Sequence, residues 1–213
     1  DYVVVDSEEN LHRVLNSAGQ LLTKVREISP YDSRIDHSIS TQLNVQKILV
    51  PVDGIGEEIL DEMTRQLAEY LQQNENARVH WFTRQADYNR KEQILTHTAQ
   101  VLKQAGLPEK WASETARKPV SENELDEEVP VPGKFYVEQC VDELSVSKCI
   151  REQRILVDLQ KERDIYLQIA AISVGIPQIV YKQTKYVEHG KNGFILQNLS
   201  ELNRCLEYYL DGM

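Results

Sequence analysis

The chain has 213 residues, with 34 acidic against 24 basic side chains and a formal net charge of −10, a balance that opposes a broad electrostatic grip on nucleic acid or anionic lipid. Hydrophobic residues make up 41%, and no apolar run approaches the roughly 18 residues a membrane helix requires, so the expectation is one large globular domain, or one domain with a fragment of another. Cys140, Cys149 and Cys205 are odd in number and stand at no metal-ligand spacing, which points to a reduced compartment and ordinary buried thiols.

The first residue is an aspartate, and no charged n-region or apolar signal core follows it. The expectation is a piece of a longer cytoplasmic protein. Residues 2 to 6, YVVVD, are a β-branched run that predicts a strand, and Asp6-Ser7 supplies helix-start chemistry for the next segment, which Gly19 stops. QLLTKVREISPYDSRI reads as a strand leading into a turn at residues 30 to 33, and HSISTQLN as a polar connector. The boundary falls near Asn44, so residues 1–44 are expected to be a remnant of a preceding domain plus a linker.

From there strand and helix alternate. QKILVPV (46 to 52) has the unbroken apolar character of a buried strand. Ile59, Leu60, Met63, Leu67, Tyr70 and Leu71 then recur at helical spacing. ARVHWFT (77 to 83) predicts the next strand, and Ile94, Leu95, Thr98, Val101 and Leu102 a second helix that ends at Gly106 with Pro108 beyond it. Residues 112–134 break the rhythm with three prolines and acids at 122, 124 and 126 to 128, which predicts a solvated loop insertion. After it come a strand over 134 to 141, a helix over 145 to 152, the strand RILVDL (154 to 159), a helix over 164 to 174 closed by Gly175 and Pro177, the strand PQIVY, a turn at EHGKNG, the strand FIL and a last helix over 200 to 210. This order predicts an α/β fold, a Rossmann-like parallel sheet with helices on both faces, over residues 45–213.

Candidate chemistry is sparse. Gly54-x-Gly56 follows a strand and opens a helix, but Ile59 stands where the dinucleotide fingerprint has its third glycine. Glu57 and Glu58 would repel a phosphate at that helix start. The five histidines, at 12, 37, 80, 97 and 189, have no second ligand at short helical spacing, and no Gly-x-Ser-x-Gly elbow is present, so no metal, cofactor or nucleophile is expected. Among the carboxylates, Glu138, Asp142 and Glu143, or Asp158 and Glu162, could face a cleft, but in a chain this acidic most such pairs face solvent. The strand ending at Asp158 should reach the crevice where open α/β sheets bind ligands.

ERDIYLQIAAISVGIPQIV followed by KYVEHGKNGFIL resembles the donor side of GT-B glycosyltransferases. In that family a first glutamate contacts the donor sugar, and a second, eight positions on, holds the nucleotide ribose. Glu162 matches the first position, while the second is Ala170. A site built on that missing carboxylate would lose about 1.5 to 3 kcal/mol. The family's Gly-Gly loop is also replaced, by YKQT (181 to 184), and Lys182 and Lys185 read as surface residues. The frame that remains is Glu162, Ala170, Gly175, Pro177, Glu188 and Gly190.

ISPYDSRI, QKILVPVDG, LVDLQKERDIYLQIAAISVGIPQI and KYVEHGKNGFIL, in that order, are together more similar to the C-terminal part of the first accessory Sec proteins. These belong to the bacterial pathway that exports serine-rich-repeat glycoprotein adhesins. The resemblance implies a GT-B-like fold without donor-binding residues and a non-enzymatic role. It also implies a cytoplasmic complex with the second and third accessory Sec proteins, working with the accessory Sec ATPase and the export substrate, at most peripheral at the inner face of the membrane. The competing expectation is a working glycosyltransferase with an atypical donor site.

Overall fold

The computed structural model describes residues 3–5, 25–27, 45–112, 133–161, 163–182 and 184–211. The chain divides into two compact units, Asp1–Arg34 and Ile35–Met213. In the first, β1 (Val3–Val5) and β2 (Val25–Glu27) pair in parallel, with Val3 beside Val25 and Val5 beside Glu27. The helix expected between these strands lies outside the described residues.

In the second unit six strands form one sheet: β3 (Gln46–Pro51), β4 (Ala77–Thr83), β5 (Phe135–Gln139), β6 (Ile155–Asp158), β7 (Gln178–Val180) and β8 (Gly193–Ile195). Their order is β5-β4-β3-β6-β7-β8, and every pairing is parallel. The chain starts in the middle with β3, moves outward to β5, then returns to lay β6 on the free side of β3. That is the doubly wound Rossmann order, with its switch point between β3 and β6.

Period-two alternation divides the core. Ile48, Val50 and Val52 of the β3 segment, Ala77, Val79 and Trp81 of β4, and Ile155 and Val157 of β6 face one hydrophobic cluster, while Leu49, Phe82 and Leu156 face the other. The first cluster is covered by α1 (Glu57–Gln73), α2 (Tyr88–Gln104) and α5 (Leu202–Leu210). The second is covered by α3 (Glu143–Arg151) and α4 (Ile165–Val174). Trp81, Phe135, Met63 and Leu67 are among the largest side chains that are wholly buried, each stabilising the fold by about 1.5 to 3 kcal/mol.

Local chemistry explains the helix limits. Asp87 accepts the Asn89 N–H at 3.0 Å to start α2, and Gly106 takes φ +72° just past its end, where the sequence placed the stop. Asp142 accepts the Ser145 N–H at 2.9 Å, so α3 begins two residues before the predicted start. Asp164 does the same for Leu167 at 3.2 Å, and Gly175, at φ +77°, ends α4 in the left-handed region.

Three expectations change. Ile59 is 47% exposed, because the buried stripe of α1 begins only at Met63. On α4, Ile165 and Ile172 are exposed, and the buried face consists of Leu167, Gln168, Ala170, Ala171 and Val174. Glu109–Ala112 form a 3-10 turn with Trp111 buried, ahead of the expected loop; residues 113–132, with the acidic cluster, lie outside the described residues. Among the described residues no helix is long and apolar enough to cross a membrane.

Candidate functional site

Open doubly wound sheets bind ligands beyond the C-terminal ends of the strands, at the switch point. Here that place is bounded by Asp53 after β3, Thr83 and Arg84 at the end of β4, and Asp158 to Gln160 at the end of β6. The Asp53 carboxylate accepts the Thr83 hydroxyl at 2.7 Å on one oxygen and the Arg84 backbone N–H at 2.7 Å on the other. A hydroxyl and a backbone amide at a strand end are the donors a phosphate would use. Both are already taken by an internal anion. Gln160 reaches across the switch point and donates its side-chain N–H to the Asp53 carbonyl.

Beneath this bridge lies a buried polar chain. Asp158 has no exposed surface, which rules out the solvent-facing alternative for it. It accepts the Gln160 backbone N–H at 3.1 Å and the Gln168 side-chain N–H at 3.3 Å. Burial pushes its carboxyl up to about 6, against the pull of those hydrogen bonds and of Arg163. The other end of the Gln168 amide accepts the Thr184 hydroxyl at 3.3 Å, and its backbone carbonyl accepts the Gln178 side-chain N–H at 3.0 Å. The amide in the middle of the apolar run IYLQIAAISV is thus paired at both ends.

Arg84 is the cation nearest in the chain to these donors, and it too is engaged. Its Nε lies 2.6 Å from Asp164, which also caps α4, and a terminal nitrogen lies 4.0 Å from Glu143. Its guanidinium sits 5.5 Å from the centre of the Tyr166 ring. Arg163 donates to the Lys182 carbonyl at 2.7 Å. At the start of α1, Gly54 takes φ +75°, Gly56 caps without a side chain, and Glu57 and Glu58 occupy the first turn. The arrangement holds strand ends together; it offers little to an incoming anion.

Of the expected donor frame, the described residues do not gather at this crevice. Glu162 lies outside the described residues. Ala170 is wholly buried in the second cluster with Leu49, Leu156 and Leu167. Gly175 and Pro177 precede β7 and so stand at the N-terminal edge of the sheet, where the Pro177 carbonyl accepts the Leu156 N–H at 3.0 Å. Glu188 and Gly190 precede β8: the Glu188 carboxylate is exposed and pairs with Lys191 at 2.5 Å, and Gly190, at φ +78°, donates its N–H to the Gly193 carbonyl at 2.9 Å.

The other candidates have local roles. Glu138 holds His80 at 2.8 Å, Asp142 caps α3, and Asp61 holds His97 at 2.7 Å. Among the described residues no group of three or more His, Cys, Asp or Glu could hold a metal ion. Lys182 and Lys185 are exposed. Reading the sequence missed Asp53, Thr83, Gln160, Gln168 and Thr184. The available signal was a lone amide inside an apolar helix and polar residues closing apolar strands, because a buried polar group requires a partner.

A family described as accessory Sec system protein Asp1 matches residues 1–213. The chain is 26% identical over 213 residues to the accessory Sec system protein Asp1 of Streptococcus gordonii, covering 100% of this chain and 40% of that protein. It is 31% identical over 194 residues to the protein of the same name from Staphylococcus aureus, covering 86% and 34%. The chain therefore spans two fifths or less of the curated relatives it matches. Among solved structures, a chain of the Glycosylation Associate Protein (Gap123) complex of Streptococcus agalactiae aligns with a TM-score of 0.76 at 21% identity, covering 100% of this chain and 39% of that one. A chain of the complex of accessory secretory proteins 1, 2 and 3 of Streptococcus pneumoniae aligns with a TM-score of 0.65 at 24% identity, covering 99% and 36%. The pneumococcal O-GlcNAc transferase GtfA, solved with UDP and GlcNAc, aligns with a TM-score of 0.52 at 14% identity, covering 98% and 38%. At these identities the structural likenesses establish a shared fold.

Proposed function

The chain belongs to the accessory Sec system protein Asp1 family, and from that premise we propose that it is the glycosyltransferase-like C-terminal part of a non-enzymatic protein-export component. The observation that carries the non-enzymatic reading is the self-filled crevice. Asp53 takes the Thr83 hydroxyl and the Arg84 amide, and Gln160 bridges the strand ends, while residue 170, where the resembled glycosyltransferases carry the ribose-binding carboxylate, is an alanine buried in the core. A nucleotide-sugar would have to break these pairs and would gain no ribose acceptor in return.

Residues 45–213 serve in this reading as a GT-B C-terminal-type domain, and residues 1–44 as a remnant of the preceding domain with its linker. The whole protein acts in the cytoplasm, in a complex with the second and third accessory Sec proteins. It works with the accessory Sec ATPase in exporting serine-rich-repeat glycoprotein adhesins, and its contact with the membrane is at most peripheral. The similarity to a chain of the pneumococcal complex, which joins accessory secretory proteins 1, 2 and 3, supports the partnership.

Calorimetric titration of the full-length protein with UDP- and GDP-sugars tests the reading. No saturable heat is expected up to about 1 mM ligand. Micromolar binding that weakens in Glu162→Gln would overturn it in favour of a working glycosyltransferase. Co-purification with the second and third accessory proteins is expected, and failure of both to co-purify would remove the proposed complex.

A further inference from the structure

The turn EHGKNG has a role that the donor-site reading leaves unexplained. β8 is the outermost strand in the sheet order, so one of its long sides has no strand partner among the described residues. The Asn192 carbonyl and the Leu196 N–H bond to β7, accepting from Gln178 at 3.1 Å and donating to Val180 at 2.7 Å. By the alternation of a parallel strand, the backbone groups of Gly193 and Ile195 therefore point outward.

The turn folds back on that outer side. The Gly190 N–H donates to the Gly193 carbonyl at 2.9 Å, and the Ile195 N–H donates to His189 Nδ1 at 3.1 Å. His189 also stacks edge-on against Phe194, with ring centres 4.7 Å apart. The turn itself is firmly built: the Asn192 side chain accepts the Glu188 N–H at 2.7 Å and donates to the Tyr186 carbonyl at 2.9 Å. An exposed strand edge is an open template for further strands, and covering it is a recurrent protective device.

Because a backbone N–H can only donate, His189 Nδ1 must be an acceptor, which only the neutral imidazole provides. We propose that His189 is a proton-sensitive latch on the outer edge of β8, closed when the imidazole is neutral and released when it is protonated. The surroundings leave the imidazole as the group that changes. In its own turn Glu188 and Lys191 are paired at 2.5 Å. From β8 it meets the uncharged Phe194, against which α5 packs Tyr208 and Tyr209, with ring centres 5.6 and 5.7 Å from that of Phe194. Burial holds the Tyr209 phenol above its usual range, so it stays neutral at acidic pH.

Amide hydrogen exchange at single-residue resolution, on the full-length protein and corrected for intrinsic rates, tests the latch. Protection of the Ile195 amide should fall by up to about tenfold as the pH is lowered and the imidazole takes up a proton, the loss of one hydrogen bond. The Leu196 amide, bonded to β7, should stay protected throughout and reports that the strand is intact. His189→Gln, whose side-chain oxygen can accept but does not titrate, should keep Ile195 protected with no pH dependence. His189→Phe, which keeps a ring against Phe194 but has no acceptor, should leave Ile195 exposed at every pH. Wild-type protection that does not change with pH while Leu196 remains protected, or equal protection in His189→Phe, overturns the proposal. A variant that loses protection at Leu196 has lost the strand, and the wild-type pH series alone then decides.

Discussion

The two edges of the sheet are built by different means. At the C-terminal edge, Asp53, Thr83, Asp158, Gln160 and Gln168 direct their hydrogen bonds at one another and at nearby backbone. At the N-terminal edge, the approaches to β7 and β8 are shaped by Gly175, Pro177, Gly190 and Gly193, which have no polar side chain. A glycine-proline pattern reports what the backbone must do, while capacity for a ligand depends on which polar groups remain unpaired. Here the first has the outline of a donor site, and the second is closed.

The largest way to break this comparison is to insert the missing carboxylate. Ala170→Glu would place it among Leu49, Leu156 and Leu167, in a position with no exposed surface. Burial of that kind raises a carboxyl pKa by about 3, so the expected loss in urea denaturation at neutral pH is about 4 kcal/mol. Unchanged stability would mean that residue 170 looks onto water rather than into the second cluster.

Two glycines at the N-terminal edge separate crowding from backbone strain. A Cβ on Gly193 would lie 2.1 Å from the Gln178 carbonyl oxygen and 2.7 Å from a Val187 methyl, so Gly193→Ala is expected to cost about 3 kcal/mol. Gly175 has open space around the same position but φ +77°, so Gly175→Ala should cost about 1 kcal/mol from strain alone. Equal losses in thermal denaturation would contradict the close approach of β8 to β7.

The mildest change sharpens the account of the C-terminal edge. The carboxyl of Asp158 is raised from 3.8 to about 6 by burial, so between those values the folded state holds a proton that the unfolded state has released. Stability should therefore fall as pH rises through that window, by about 3 kcal/mol in total, and stay lowered above it. Asp158→Asn should flatten this dependence. With the Gln168 amide turned over, the asparagine can still accept from Gln160 and donate to Gln168, so the variant should be more stable at pH 7 by about 1 kcal/mol. Melting temperatures measured from about pH 4 to about pH 7 would show it; a variant that keeps the wild-type slope would place the titration on another group.

Much of the fold was legible because it rests on local patterns. QKILVPV and ARVHWFT became β3 and β4, and Ile94, Leu95, Thr98, Val101 and Leu102 all proved buried on α2. Strand-helix alternation by itself pointed to a parallel doubly wound sheet. The candidate site was less legible. Ile59, Ile165 and Ile172 have the spacing of buried residues but are exposed, because a helix buries only the arc its neighbours reach. The residues that close the crevice come from positions 53, 83, 160, 168 and 184, and no short window of sequence contains such a set.

From the sequence alone came the element types, the turn glycines and the absence of a carboxylate at residue 170, since each depends on residues within a few positions of one another. Only the tertiary structure decided that Gly175, Pro177 and Gly190 lie away from the crevice, that Asp158 is buried, and that Asp53 occupies the donors of Thr83 and Arg84. The physical reason is strand order. Crossing from β5 back to β6 puts residues more than 100 positions apart against each other, at a distance where one hydrogen bond decides whether a site is open or closed.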